Sequence, residues 1–225
     1  MKGVILAAGE GVRMRPLTYT TPKPLLVVRG KTLLDRLVEN FPPSIDELII
    51  VVGYRGDQIK AHCGRKFFGR PVSYLTQPEK QGTYGALALA EPLLNHHPFA
   101  LFFADDLFDQ ETLAALTRYP LAAVVARVTD PERFGVVETT PSGHIKRVVE
   151  KPEQPTSNVV LTSAYTLTRD IFAYPPERKA NGELYLSEAL SQMAQQHPIK
   201  TIPATFWFPI ATPHDLEVAE QIVSV

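Results

Sequence analysis

The chain has 225 residues, 44% of them hydrophobic and 21% charged, with 23 Lys+Arg against 24 Asp+Glu. That length supports one large core and is short for two independent enzymatic domains, and a net charge of -1 offers no basic face on which phosphate neutralisation could drive nucleic-acid binding. A lone Cys63 excludes an internal disulfide and fits a reducing cytoplasm, no Cys/His cluster has zinc spacing, and no run of about 18 apolar residues is present to span a membrane.

In chain order, apolar runs of strand length fall at Gly3 to Ala7, Glu47 to Val52, Val72 to Leu75, Phe99 to Phe103, Ala122 to Val128 and Val160 to Leu167. Most are too continuous for one-sided strands and read as buried parallel ones. Helical patterns separate the early runs at Thr32 to Asn40, Tyr84 to Leu94 and Asp109 to Arg118. Further on, Phe134 to Glu138 and Ile145 to Glu150 bracket a Pro-Ser-Gly hairpin signal. Leu186 to Gln196 then Ile199 to Ile202 read as helix then strand, and Pro213 to Val225 as a closing helix with Asp215 in its first turn. The amino terminus lacks the length of apolar sequence a signal peptide needs. The expected fold is α/β: a three-layer α/β/α, Rossmann-like, mixed and mainly parallel sheet. We expect a single domain over 1–225, with a nucleotide-binding half at about 1–110 and a second half at about 111–225. Ligands of such sheets sit at the carboxyl ends of strands, so the residues just after each run are the candidates.

After the first strand comes Leu6-Ala7-Ala8-Gly9-Glu10-Gly11-Val12-Arg13-Met14, with Pro16-Leu-Thr18 and Thr21-Pro-Lys-Pro-Leu25 following. Glycines let backbone N–H groups approach phosphate oxygens. The dinucleotide fingerprint fails because Met14 stands where its third glycine belongs, and no Gly-Lys-Ser/Thr follows for a Walker loop. What remains is a loop with two guanidiniums, Arg13 and Arg15, and Lys23 held between two prolines, a set suited to clamping a triphosphate.

These motifs resemble the sugar-1-phosphate nucleotidyltransferases, or NDP-sugar pyrophosphorylases, most of all the short bacterial enzymes that use UTP or dTTP. The resemblance implies transfer of a nucleotidyl group to a sugar 1-phosphate with release of pyrophosphate. It further implies Mg2+ as cofactor, a cytoplasmic enzyme, NDP-sugar supply for cell-envelope polysaccharide, and a monomer or homo-oligomer without nucleic-acid or membrane partners. Carried onto this sequence, it makes Arg13, Lys23 and Asp105 catalytic, with Asp105 of Ala104-Asp105-Asp106 the metal ligand. Leu6 through Gly11 with Gln77, Gly82 and Thr83 would bind the nucleotide, Gln77 matching the imide edge of a pyrimidine. Gly135, Glu150, Lys151, Asn158 and Thr162 would meet the sugar phosphate. Two departures stand out: Ser163 where a glycine is common, and Trp207-Phe-Pro-Ile-Ala-Thr-Pro213, where Pro209 replaces the Asp that supplies the family's second metal carboxylate. Asp215 nearby suits helix capping instead. The chain leaves no room for the C-terminal left-handed β-helix of some relatives, so one activity is expected. Two other readings stay open: a cytidylyltransferase acting on a non-sugar phosphate such as phosphocholine, and a non-catalytic nucleotide-sensing homologue, which Pro209 would favour. The 20 prolines, nearly twice the usual share of about 5%, include Pro16, Pro22, Pro24, Pro78 and Pro152 in or beside these loops, where they would stiffen a site.

Overall fold

A computed structural model describes residues 1–79 and 81–223. In chain order the strands are β1 (Lys2–Ala7), β2 (Val27–Val28), β3 (Lys31–Thr32), β4 (Glu47–Val52), β5 (Lys66–Phe67), β6 (Arg70–Thr76), β7 (Phe99–Phe103), β8 (Asp106–Phe108), β9 (Ala122–Arg127), β10 (Gly135–Thr139), β11 (Ile145–Glu150), β12 (Val159–Leu167), β13 (Lys200–Pro203) and β14 (Trp207–Pro209). The helices are α1 (Leu33–Glu39), α2 (Gly56–Cys63), α3 (Gly82–Ala90), α4 (Gln110–Leu116), α5 (Leu186–Met193) and α6 (Pro213–Ile222). The closing helix thus ends short of the expected Val225, which with Ser224 lies outside the described residues.

One mixed sheet carries both halves. Its parallel heart is β7-β1-β4-β6, with Ile5 opposite both Ile50 and Phe102. Alternate residues of β1 serve opposite faces. Val4 packs with α3 and α5 through Leu87, Leu186 and Leu190, whereas Ile5 packs with α1, α2 and α4 through Leu37, Ile59 and Leu113. Both faces are therefore apolar, which is why the run reads as continuous, and the layers are the expected α/β/α. A smaller cluster of Met14, Val28, Leu33, Leu107, Ile210 and Ala219 seats α6 against the glycine loop.

The run at Val160 to Leu167 is not parallel to its neighbours: β12 pairs antiparallel with β7, β9 and β10. A strand buried on both faces has the same composition in either direction, so the sequence pattern carries no polarity. This strand creates the site. Its later half, Ala164 to Leu167, pairs with β7, while Val160 pairs with β10, and the register against β9 shifts between Leu161 and Tyr165. β7 and the β10–β11 hairpin thus share one side of β12 in succession. A cleft opens where one gives way to the other.

Candidate active site

The cleft has a volume of about 720 Å³ and gathers residues from the whole chain. On one side the end of β1 and the loop after it contribute Leu6, Ala7, Ala8, Gly9, Glu10, Gly11 and Arg13, with Lys23 beside them. Gly11 sits in the left-handed region (φ 62°), and a Cβ there would lie 3.0 Å from Lys23 Cβ and Thr18 Cγ2. The loop folds this closely on Lys23 because Gly11 has no side chain. Thr18 Oγ1 donates to the Gly11 carbonyl (2.9 Å) and locks the turn. Arg13 is exposed at the rim, and Arg15 pairs with Glu10 at 3.4 Å.

At the end of β7, Lys23 Nζ meets Asp105 Oδ2 at 2.5 Å; the lysine is 10% exposed and the carboxylate 35%. Asp106, one residue on, is buried. Its Oδ2 accepts hydrogen bonds from Ser163 Oγ (2.7 Å) and Trp207 Nε1 (2.6 Å). Burial and the neighbouring Asp105 charge push its carboxyl up to about 7, against the opposing pull of those two bonds and of Lys23. Pro209 lies opposite Asp106 in the β8–β14 ladder and lines the cleft. Asp215 is occupied in the capping box of α6, whose N-cap is Thr212: its Oδ2 accepts from Ala211 N (2.8 Å), Thr212 N (2.7 Å) and Thr212 Oγ1 (2.9 Å).

Gln77 and Gly82 form the next wall. The backbone of Gln77 extends the sheet by donating to Val52 O (2.8 Å), and its side-chain Nε2 is buried with no hydrogen-bond partner among the described residues. Gly82 (φ 77°) opens α3; a Cβ there would come within 2.5 Å of the Leu184 carbonyl. The segment ending in Leu186 is laced to this turn by Leu184 N to Gln81 O (2.9 Å), Tyr84 N to Leu184 O (3.0 Å) and Leu186 N to Thr83 Oγ1 (3.0 Å). Glu183, Tyr185, Leu186 and Ser187 become cleft wall as a result. Sequence reasoning missed this wall; the Asn181-Gly182 turn before the helix was the available signal.

At the far end stand Gly135, Glu150 and Lys151. Lys151 adopts φ 44°, unusual for a side-chain-bearing residue, while its N–H donates to Phe134 O (2.9 Å). Thr162 lines the cleft, but its hydroxyl donates to Val124 O (3.0 Å). Asn158 is a correction: it does not line this cleft. It precedes β12, is exposed, and holds Arg127 Nη1 at 2.7 Å beside a separate shallow hollow. The register shift lies farther along the strand, so Leu161, Thr162 and Ser163 take the wall that Asn158 was expected to share.

A single pocket therefore unites an exposed guanidinium, an ammonium–carboxylate pair, an unsatisfied amide and a second polar end, an arrangement with the length and polar groups to take a long phosphorylated ligand. A model of the family described as "Nucleotidyl transferase" matches residues 2–223. The UTP–glucose-1-phosphate uridylyltransferase AglF of Haloferax volcanii is 34% identical, over 98% of this chain and 96% of the relative. The bifunctional protein GlmU of Methanocaldococcus jannaschii is 30% identical over 98% of this chain, which spans about half, 54%, of that longer protein. A crystal structure of a putative glucose-1-phosphate thymidylyltransferase from Bacillus anthracis superposes with TM-score 0.87 at 25% identity, covering 100% and 97% of the two chains. The chain belongs to the nucleotidyl transferase family, and it is an enzyme of the sugar-1-phosphate nucleotidyltransferase group.

Proposed function

We propose that the enzyme joins a sugar 1-phosphate to the nucleotidyl group of UTP or dTTP, with UTP and glucose 1-phosphate the first pair to test because AglF is named for that reaction. The carrying observation is that one cleft contains both the Arg13–Lys23–Asp105 group and the Gly135–Glu150–Lys151 group. The buried Gln77 Nε2 favours a base with a carbonyl acceptor, since an unsatisfied buried donor costs about 1–3 kcal/mol until something accepts from it. Uracil and thymine meet that need through their carbonyls, and since cytosine also has acceptors at O2 and N3, the nucleotide panel below separates the two readings.

In this mechanism the loop 6–11 cradles the triphosphate with backbone N–H groups and Arg13 folds onto it from the rim. Lys23 exchanges Asp105 for phosphate oxygens. Lys151 places the sugar phosphate for in-line attack on the α-phosphorus, Glu150 accepts from sugar hydroxyls, and pyrophosphate leaves; positioning and charge stabilisation suffice without a covalent intermediate. Asp105 would hold Mg2+. The donor set fits that ion: Asp105 lines the cleft with its carboxylate 35% exposed, and Mg2+ binds through one or two carboxylates plus substrate phosphates rather than in an all-protein cage. The ion, when bound, polarises phosphoryl oxygens.

Gly82 and Thr83 would frame the base, and Thr162 would contribute backbone to the sugar end. We further propose a single domain over 1–225 acting in the cytoplasm; no helix among the described residues is long and apolar enough to cross a membrane. A glycan-building role accords with another Haloferax volcanii relative, a low-salt glycan biosynthesis nucleotidyltransferase, 25% identical over 99% of this chain and 66% of its own length. Pyrophosphate release with each of four nucleoside triphosphates and a panel of sugar 1-phosphates, with phosphocholine alongside, tests the assignment. Turnover confined to CTP with a non-sugar phosphate would replace it.

A further inference from the structure

The mechanism above uses Asp105 but gives no work to its neighbour. Asp106 is 8% exposed in the wall of the cleft, and two donors from distant segments converge on one of its oxygens, Ser163 Oγ at 2.7 Å and Trp207 Nε1 at 2.6 Å. The same residue is paired with Pro209 in the β8–β14 ladder, which places Trp207 opposite Phe108. The indole is fixed a second time at its ring. It meets Phe134 nearly edge-on, with centroids 5.5 Å apart and planes at 69°. Phe134 is directly bonded to Gly135 and accepts the Lys151 N–H through its carbonyl (2.9 Å). A continuous series of contacts therefore runs from the strand end that carries Asp105, through Asp106 and the Trp207 ring, to the backbone of the β10–β11 end.

We propose that Asp106 is a positioning residue: by accepting the indole N–H it fixes the plane of Trp207, and through Phe134 it sets the sugar-phosphate end of the cleft relative to the phosphate end. This rests on the reading of Gly135, Glu150 and Lys151 as the sugar-phosphate side. What the role requires of residue 106 is an acceptor oxygen. An asparagine can still accept both bonds through its amide oxygen, whereas an alanine leaves the indole N–H and the Ser163 hydroxyl without their partner. The ring would then be free to turn, and the loss would be felt where Phe134 leads, at the sugar phosphate, rather than at the nucleotide.

Trp207 is the only tryptophan of the chain, so its emission reports the clamp directly. The experiment compares wild type, Asp106→Ala, Asp106→Asn and Trp207→Phe by emission spectrum and by kcat and KM for UTP and for glucose 1-phosphate. Asp106→Ala is expected to shift the tryptophan emission and to raise KM for the sugar phosphate about tenfold, the size of one lost hydrogen bond. KM for UTP should stay within about twofold, a change too small to count as a lost hydrogen bond. Asp106→Asn is expected to restore both the emission and the sugar-phosphate KM, and Trp207→Phe, which keeps a ring but has no N–H, to raise that KM as Asp106→Ala does. Unchanged emission and KM in Asp106→Ala would overturn the proposal. So would turnover in Asp106→Asn falling as far as in Asp105→Asn, since that would show the charge, not the acceptor, to be what is used. If Asp106→Ala does not fold, the pair Asp106→Asn and Trp207→Phe decides by itself: an unchanged sugar-phosphate KM in Trp207→Phe overturns the proposal. A wild-type enzyme that does not respond to any sugar 1-phosphate would instead remove the functional reading, and the emission comparison between Asp106→Ala and Asp106→Asn would still test the clamp.

Discussion

Lys23 and Asp105 hold one another at 2.5 Å across 82 residues of sequence, which keeps an ammonium at the phosphate side of the cleft before any substrate arrives. The pair is mostly buried on the lysine side, so its removal is costly to the site as well as to charge balance. Lys23→Ala and Arg13→Ala are each expected to lower turnover on the order of 100-fold or more, as loss of a donor to developing charge does. Pyrophosphate release at saturating substrates checks this, and unchanged turnover in both would remove them from the mechanism. Gly82 makes a different prediction. Because a Cβ would enter the Leu184 backbone at a φ of 77°, Gly82→Ala should push the 184–186 segment off α3 and weaken nucleotide binding about tenfold or more. Calorimetric titration with UTP would read the change. At this scale the loop 6–11, Arg13, Lys23, Gln77 and Asp105 were legible because their order along the chain matches the family motif. Asn158 was not, because a register shift inside β12 decides which of its residues face the cleft, and nothing in the composition of Val159 to Leu167 marks that shift.

The elements that carry these residues are ended by recognisable chemistry. Thr32 caps α1: its hydroxyl accepts from Asp35 N (3.0 Å) while Asp35 Oδ2 accepts from Thr32 N (3.0 Å), a reciprocal capping box. Partial burial would raise the Asp35 carboxyl, but the Thr32 bonds and His62, 2.8 Å away, outweigh it and hold the group below its ordinary value. A carboxyl depressed on folding contributes stability above its unfolded value of 3.8 and loses it as pH falls through the folded value. Asp35→Ala should therefore cost about 1 kcal/mol at pH 7, about 2–4 °C in Tm for a chain of this size, with the difference shrinking below about pH 4. Thermal melts at pH 7 and pH 3 check the sign. The strands of the parallel heart and helices α1, α3, α4 and α5 could be read from apolar spacing. The β8–β14 ladder could not: three residues such as Trp207-Phe208-Pro209 carry too little periodicity to announce a strand, and their pairing with Asp106 to Phe108 spans about a hundred residues.

For the whole molecule, the direction of β12 is the feature with most consequence. By running antiparallel it lets β7 and the β10–β11 hairpin follow one another along the same edge, so the sheet itself joins the first half of the chain to the second and leaves the cleft at their seam. Both substrates would contact residues drawn from nearly the entire chain, and ligand binding should stabilise the fold as a unit. UTP at about 100 times its Kd is expected to add about 2.7 kcal/mol, seen as a single transition moved upward by several degrees; two separate transitions, only one of them moved, would contradict the single-domain reading. The α/β/α layering was readable from alternating strand and helix signals, but the seam was not, because strand polarity depends on connections made elsewhere in the chain.

Pro209 faces Asp106 in the cleft wall and offers no ligand to a metal, so Asp105 would have to serve with the substrate phosphates. The measurement that decides is a stoichiometric one: Mg2+, UTP and glucose 1-phosphate with the purified protein, following pyrophosphate and the nucleotide sugar together. Both are expected to appear in equimolar amounts, their formation abolished by chelation of the metal and reduced about 100-fold in Lys23→Ala. Saturable UTP binding without pyrophosphate release, across every nucleoside triphosphate and sugar 1-phosphate tried, would contradict this mechanism and leave a nucleotide-binding protein without catalysis.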